Sequence, residues 1–164
     1  MSFTKSSVMA LASVFTLLIA TLNGAVATTH GGMKVINSYA IAASSTAQSG
    51  AIFMQIINHT SKDDQLLSVA SDIAARVEIH EHLALADGVM RMQEVAGVIT
   101  ITSKQILSLQ RGGHHVMLMG LNRPLVKAES FELTLNFQHA GSVTITIPIR
   151  ISHPEGADHT KMGD

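Results

Sequence analysis

From residue 51 onward the chain reads as short runs rich in Val, Ile and Leu separated by polar or Gly-containing breaks. The runs carry the two-residue period of half-buried strands rather than the period of helices. They predict strands over 51–58, 66–70, 76–82, 89–95, 98–102, 105–109, 115–121, 131–138 and 142–151. Alternation is cleanest from Phe131 to Gln138, and His139-Ala140-Gly141 has the length of a hairpin connection to the run that follows. Many short strands at even spacing specify an all-β fold, an antiparallel sandwich or barrel whose core is filled by alternate side chains. Pro148 lacks an N–H to donate, so the last run is expected at a sheet edge or around a bulge. Residues 40–50 are small and polar and are expected to form a surface loop, and the tail 152–164, without apolar periodicity, to be disordered.

The front of the chain follows a different pattern. Lys5 precedes an apolar run from Val8 to Leu22, and Ala25-Val26-Ala27 forms a small-x-small cleavage site, so residues 1–27 read as a secretory signal peptide. A membrane anchor is the competing reading, but Asn23-Gly24 closes the run early and no basic stop-transfer cluster follows. Cleavage leaves a sandwich domain over 28–151 and the tail, with no membrane span, in the periplasm. The formal charge of −1 and the absence of a Lys/Arg cluster make nucleic acid and anionic lipid poor partners. The chain has no cysteine, so a disulfide framework is excluded and stability must come from packing.

Against this frame two segments carry metal-binding chemistry. His80-Glu81-His82 is followed by Met90-Arg91-Met92, and His115-Val116-Met117 lies between Gly112-Gly113 and Leu118-Met119-Gly120-Leu121. On extended backbone, residues two apart share a face, which groups His80 with His82, Met90 with Met92, and His115 with Met117 and Met119. Imidazole and thioether without thiolate describe a Cu(I) site better than one for other common metals. Met90 and Met119, set among apolar neighbours, are expected to pack in the core, and His82 and His114 can be surface histidines without a role. His80, Met92, His115 and Met117 remain as the candidate ligands.

These residues also carry a resemblance. The stretch from Arg76 to Leu125, with its His80-Glu81-His82, Met90-Arg91-Met92 and His114-His115-Val116-Met117 segments, resembles the periplasmic copper chaperone family called PCuAC, and the similarity extends into the strands from Phe131 to Ile149. The family's pattern is a His, a Met twelve residues later, and a His-x-Met after a further gap. His80, Met92, His115 and Met117 match it, with 93–114 one residue longer than usual. The resemblance implies a Greek-key, cupredoxin-like sandwich that is not an enzyme. It implies Cu(I) held at a surface His2Met2 site and passed to a receiving protein, cytochrome c oxidase subunit II with its CuA centre, while a thiol-reductase co-chaperone is a further candidate partner that the sequence neither requires nor excludes.

Other readings are weaker or secondary. A blue-copper carrier needs a Cys ligand that the chain lacks, and thioethers are uncommon zinc ligands. From another class comes a metal-free secreted sandwich whose Met cluster serves as an adaptable protein-binding patch. Cleavage after Ala27 would place His30 third from a free amine, a geometry suited to Cu(II), and His153 and His159 of the tail are loose Cu(II) candidates.

Overall fold

The computed structural model describes residues 28–44, 46–84 and 88–150, so the expected signal peptide and the tail with His153 and His159 lie outside the described residues. Strands run β1 (Thr28–His30), β2 (Met33–Ala42), β3 (Ser49–Asn58), β4 (Asp64–Ala70), β5 (Ala74–Ala84), β6 (Met90–Glu94), β7 (Ile99–Ile101), β8 (Ile106–Leu109), β9 (His115–Leu121), β10 (Ser130–Phe137) and β11 (Gly141–Pro148). They form two antiparallel sheets. The larger is ordered β1-β2-β3-β9-β5-β6, with β8 on the second half of the β3 edge that β9 leaves open, and the smaller is β11-β10-β4-β7. No helix among the described residues is long and apolar enough to cross a membrane.

Alternation does the work of closing the two sheets on one another. Ile52, Met54 and Ile56 of β3, Val116 and Leu118 of β9, Leu133 and Leu135 of β10, and Ile145 and Ile147 of β11 point into one core and are essentially inaccessible to water. With no cysteine to cross-link the layers, this apolar surface and the polar groups at its margins hold the fold. Two of those groups are buried clasps. Asn58 donates from Nδ2 to the carbonyls of Lys62 and Ile101, while its Oδ1 accepts from the Thr60 backbone and hydroxyl. Asp64 accepts at Oδ1 from the backbone N–H groups of Gln65 (2.7 Å) and His139 (2.9 Å) and at Oδ2 from that of Ala140 (2.9 Å), tying the β10–β11 turn to the start of β4.

The strands from residue 51 onward fall where the pattern predicts. The hairpin through His139 is present, and Pro148 ends β11, the edge strand of the smaller sheet. Residues 40–50 are not all loop, since β2 continues to Ala42 and β3 begins at Ser49. The strand escapes a period-two reading because of a bulge. Its register against β3 shifts between Ile36 and Tyr39, with Asn37 at φ +55° and its side chain bonded to Gln55. Buried positions therefore change from odd (Met33, Val35) to even (Ser38, Ala40) within a single strand. The last strand also stops earlier than expected, because Ile149 and Arg150 turn to pair with Ala40 of β2 and close the sandwich along that seam.

Candidate metal centre

Register across β6, β5 and β9 brings the two His/Met segments together. His80 lies directly opposite His115, and Glu78 opposite Met117, across β5–β9; on the other side of β5, His82 lies opposite Met92 and His80 opposite Glu94. Directly opposed residues share a face with Cβ atoms about 4.5–5.5 Å apart. His80, Met92, His115 and Met117 thus occupy one contiguous patch on the face of the larger sheet that points away from the core.

The patch is graded from inside to outside. His115 is 4% exposed, packed against Phe53 of β3 with ring centroids 6.2 Å apart, and the Arg111 guanidinium lies over the same phenyl ring, 5.7 Å from its centroid. Met92, on the edge strand β6, is 45% exposed. His80 and Met117 are half-buried between them.

Hydrogen bonds fix which ring nitrogens are available. Nδ1 of His115 lies 3.1 Å from the Gly113 carbonyl, which can only accept, so Nδ1 carries the proton and Nε2 is the bare nitrogen. The left-handed turn at Gly112 (φ +75°), closed by the Gly113 N–H on the Gln110 carbonyl, aims the Gly113 carbonyl back at the His115 ring. Nε2 of His80 donates to Glu78 Oε2 at 3.1 Å, and its Nδ1 is buried with no partner. A buried polar atom without a hydrogen bond is costly and uncommon, and a carboxylate behind an imidazole whose other nitrogen is bare is the arrangement that orients histidine toward a metal. Glu78 is in turn held by Arg76 at 3.5 Å.

Burial holds the His115 imidazole below the usual histidine pKa, and repulsion from the nearby His82, His80 and His114 adds to the effect, which the Gly113 bond opposes. Its neutral, ligand-competent form therefore persists to lower pH than that of a free imidazole.

The expectation that Met90 and Met119 pack in the core needs correction. Met90 does not pack in the core but is 55% exposed, because β6 is an edge strand whose outer positions have no covering layer. Met119 lies on the outer face too, with Arg76 Nη2 donating to its sulfur at 3.3 Å. His82 is no idle surface residue: its ring stacks on His115 at 5.1 Å and 27°, and its Nδ1 is buried without a partner. His114 faces the other way and pairs with Glu81 at 3.5 Å. His30 ends β1, remote in the sheet from β5, β6 and β9, and Thr28–His30 is paired to β2, so wrapping Cu(II) there would require that short strand to peel away.

Among the described residues, as their side chains stand, no three of His, Cys, Asp or Glu are grouped closely enough to hold an ion by themselves, so the thioethers beside the imidazoles are the natural further donors. The model of the family described as putative lipoprotein, LpqE-like, matches residues 33–149. The chain belongs to the LpqE-like family. The matched span runs from β2 through β11 and includes all four candidate ligands, while His30 and the tail lie outside it.

A putative lipoprotein of Leifsonia xyli subsp. xyli is 29% identical over 119 residues, covering 73% of this chain and 70% of its own length. The copper-bound PCuAC domain from PmoF2 superimposes with a TM-score of 0.63 at 21% identity, covering 77% of this chain and 98% of that domain. The Cu(I) form of DR1885 from Deinococcus radiodurans does so with a TM-score of 0.53 at 29% identity, covering 71% of this chain and 78% of that one. The LpqE-like chain therefore has the cupredoxin-like sandwich of PCuAC domains, as its sequence resemblance implies. None of its 164 residues is a cysteine, so none can carry a thioether-linked lipid, whatever the family's description says of lipoproteins.

Proposed function

We propose that this protein is an exported copper chaperone, not an enzyme, which holds Cu(I) through His80, Met92, His115 and Met117 and yields it to a receiving copper protein. One observation carries the reading: two separate His/Met segments meet in register on three adjacent strands, with a bare, buried Nδ1 on His80 oriented by Glu78. Two imidazoles and two thioethers form a soft, neutral donor set that favours Cu(I). The copper-bound state of the PmoF2 domain and the Cu(I) form of DR1885 support the choice of metal.

The gradient of exposure supports transfer. An incoming protein's ligand meets Met92 first, on the open edge strand, and can displace that thioether while the buried His115 still holds the ion. The final release then breaks neutral bonds rather than metal–thiolate ones. The PCuAC resemblance supports cytochrome c oxidase subunit II as the receiving protein, with a thiol-reductase co-chaperone keeping that protein's ligands reduced, and the periplasm as the compartment.

Anaerobic titration against a chromogenic Cu(I) chelator tests the proposal, with one tightly held Cu(I) per chain expected. Affinity should weaken as the solution is acidified, because both imidazoles must be neutral to bind, with the His115 contribution persisting to lower pH than that of a free imidazole. No Cu(I) retained against the chelator at neutral pH would refute the reading. Glu78→Gln should weaken Cu(I) binding by about tenfold, the loss expected when a carboxylate behind a metal-bound histidine is neutralised. An unchanged affinity would show that Glu78 does not orient His80.

A further inference from the structure

The copper site leaves one imidazole of the patch unassigned. His82 stands directly opposite Met92 across β5–β6, lies on the same face as His80, and is stacked on His115 with centroids 5.1 Å apart. Its Nδ1 is buried and has no hydrogen-bond partner, the same condition as Nδ1 of His80. A histidine serving only to pack would direct its nitrogens to water or to a protein partner, as His114 does toward Glu81 on the opposite face. Two imidazoles with orphaned nitrogens on one strand, both in ring contact with a third, form a nitrogen-rich flank to the thioethers.

Resting on the Cu(I) reading above, we infer that His82 is a third nitrogen donor of this patch, with which the site binds Cu(II) as well as Cu(I). The two oxidation states ask for different donors: Cu(I) is soft and satisfied by thioether, whereas Cu(II) is served better by imidazole in a tetragonal arrangement. His80, His82 and His115 supply the nitrogen set, and Met92 and Met117 the sulfur set. No electron moves in this proposal, since each oxidation state is bound as it arrives. The three rings are not gathered around a point as they stand, with centroids 6.2 Å apart for His80–His115 and 5.1 Å for His82–His115, so taking Cu(II) turns the rings about their side-chain torsions while the strand register stays. A carrier built this way loads copper outside the cytoplasm without requiring a reductant at the moment of capture.

Cu(II) titration of the whole chain followed by electron paramagnetic resonance tests this, alongside Cu(I) competition on the same preparations. The wild type should bind Cu(II) in the patch with three nitrogen couplings, and prior loading with Ag(I), a redox-inert stand-in for Cu(I), should remove that signal. That loss separates the patch from Cu(II) held elsewhere on the chain. His82→Gln should lower the ratio of Cu(II) to Cu(I) affinity at least tenfold and reduce the couplings to two. His82→Met, which replaces the imidazole with a soft donor, should lower the same ratio and guards against a folding defect in the first variant. An unchanged ratio with an unchanged nitrogen count would overturn the inference and leave the Cu(I) reading standing. Failure of the wild type to bind Cu(I) would overturn both.

Discussion

Met92→Leu combined with Met117→Leu should lower Cu(I) affinity by at least about a hundredfold, an estimate that assigns each lost thioether bond about 1.4 kcal/mol or more, while leaving the protein folded. Both residues lie outside the core, Met92 on the exposed edge of β6 and Met117 half-buried on the outer face of β9. Leucine keeps the volume and apolarity and removes only the sulfur, a swap that typically costs less than about 1.5 kcal/mol even in a packed interior. The circular dichroism of the double variant should match that of the wild type, and its Cu(I) should pass to a chelator that the wild type resists. Retention of wild-type affinity would mean that sulfur from these two residues is not part of the site.

Replacing Asp64 should produce the largest loss of stability, about 3–5 kcal/mol for Asp64→Ala. This variant leaves three backbone N–H groups at the β4–β10–β11 junction without their acceptor, and each buried donor left unmade costs about 1–3 kcal/mol. For a domain of this size the melting temperature should fall by roughly 10–15 °C. Acid should reproduce part of the effect. Burial of the Asp64 carboxyl acts to raise its pKa, but the donors from His139, Gln65 and Ala140, with the charge of His139, prevail and hold it below the ordinary carboxylate value. Folded protein thus binds this proton more weakly than unfolded chain. The stabilisation is complete above the unfolded value of about 3.9 and is lost as pH falls through the lower folded one. Denaturant titrations of wild type and Asp64→Ala at neutral pH and near pH 3 should show the gap between them narrowing in acid. A difference below about 0.5 kcal/mol at neutral pH, the range of an ordinary surface substitution, would contradict the clasp.

The strands that sequence reading locates are those whose two faces differ throughout. β10, with Phe131, Leu133, Leu135 and Phe137 inside and polar residues between them, is the clearest case, and β9 has the boundaries its pattern predicts. β2 was hidden because the bulge at Asn37 reverses its parity midway and because Ala40 and Ala42 are too small to mark a core face. The edge status of β6 is likewise invisible locally. Met90-Arg91-Met92 reads the same whether or not a layer covers it, and only the order of strands in the sheet leaves Met90 in water.

For the His/Met patch, grouping within each segment follows from two-residue parity, but their meeting requires the β5–β9 and β5–β6 registers, which are long-range facts. Glu78 shares the parity that groups His80 with His82, but that its carboxylate turns to the His80 ring is a side-chain contact that parity alone does not specify. Phe53 and Arg111 had no such signal, since their contact depends on β3 lying beside β9 and on the turn at Gly112.

X-ray absorption spectroscopy at the copper edge on the Cu(I)-loaded protein counts the donors around the ion. A Cu(I) edge with two sulfur and two nitrogen neighbours is expected, the sulfur shell diminishing in Met92→Leu and Met117→Leu and one nitrogen lost in His115→Ala. A first shell of nitrogen and oxygen alone would contradict the His2Met2 site.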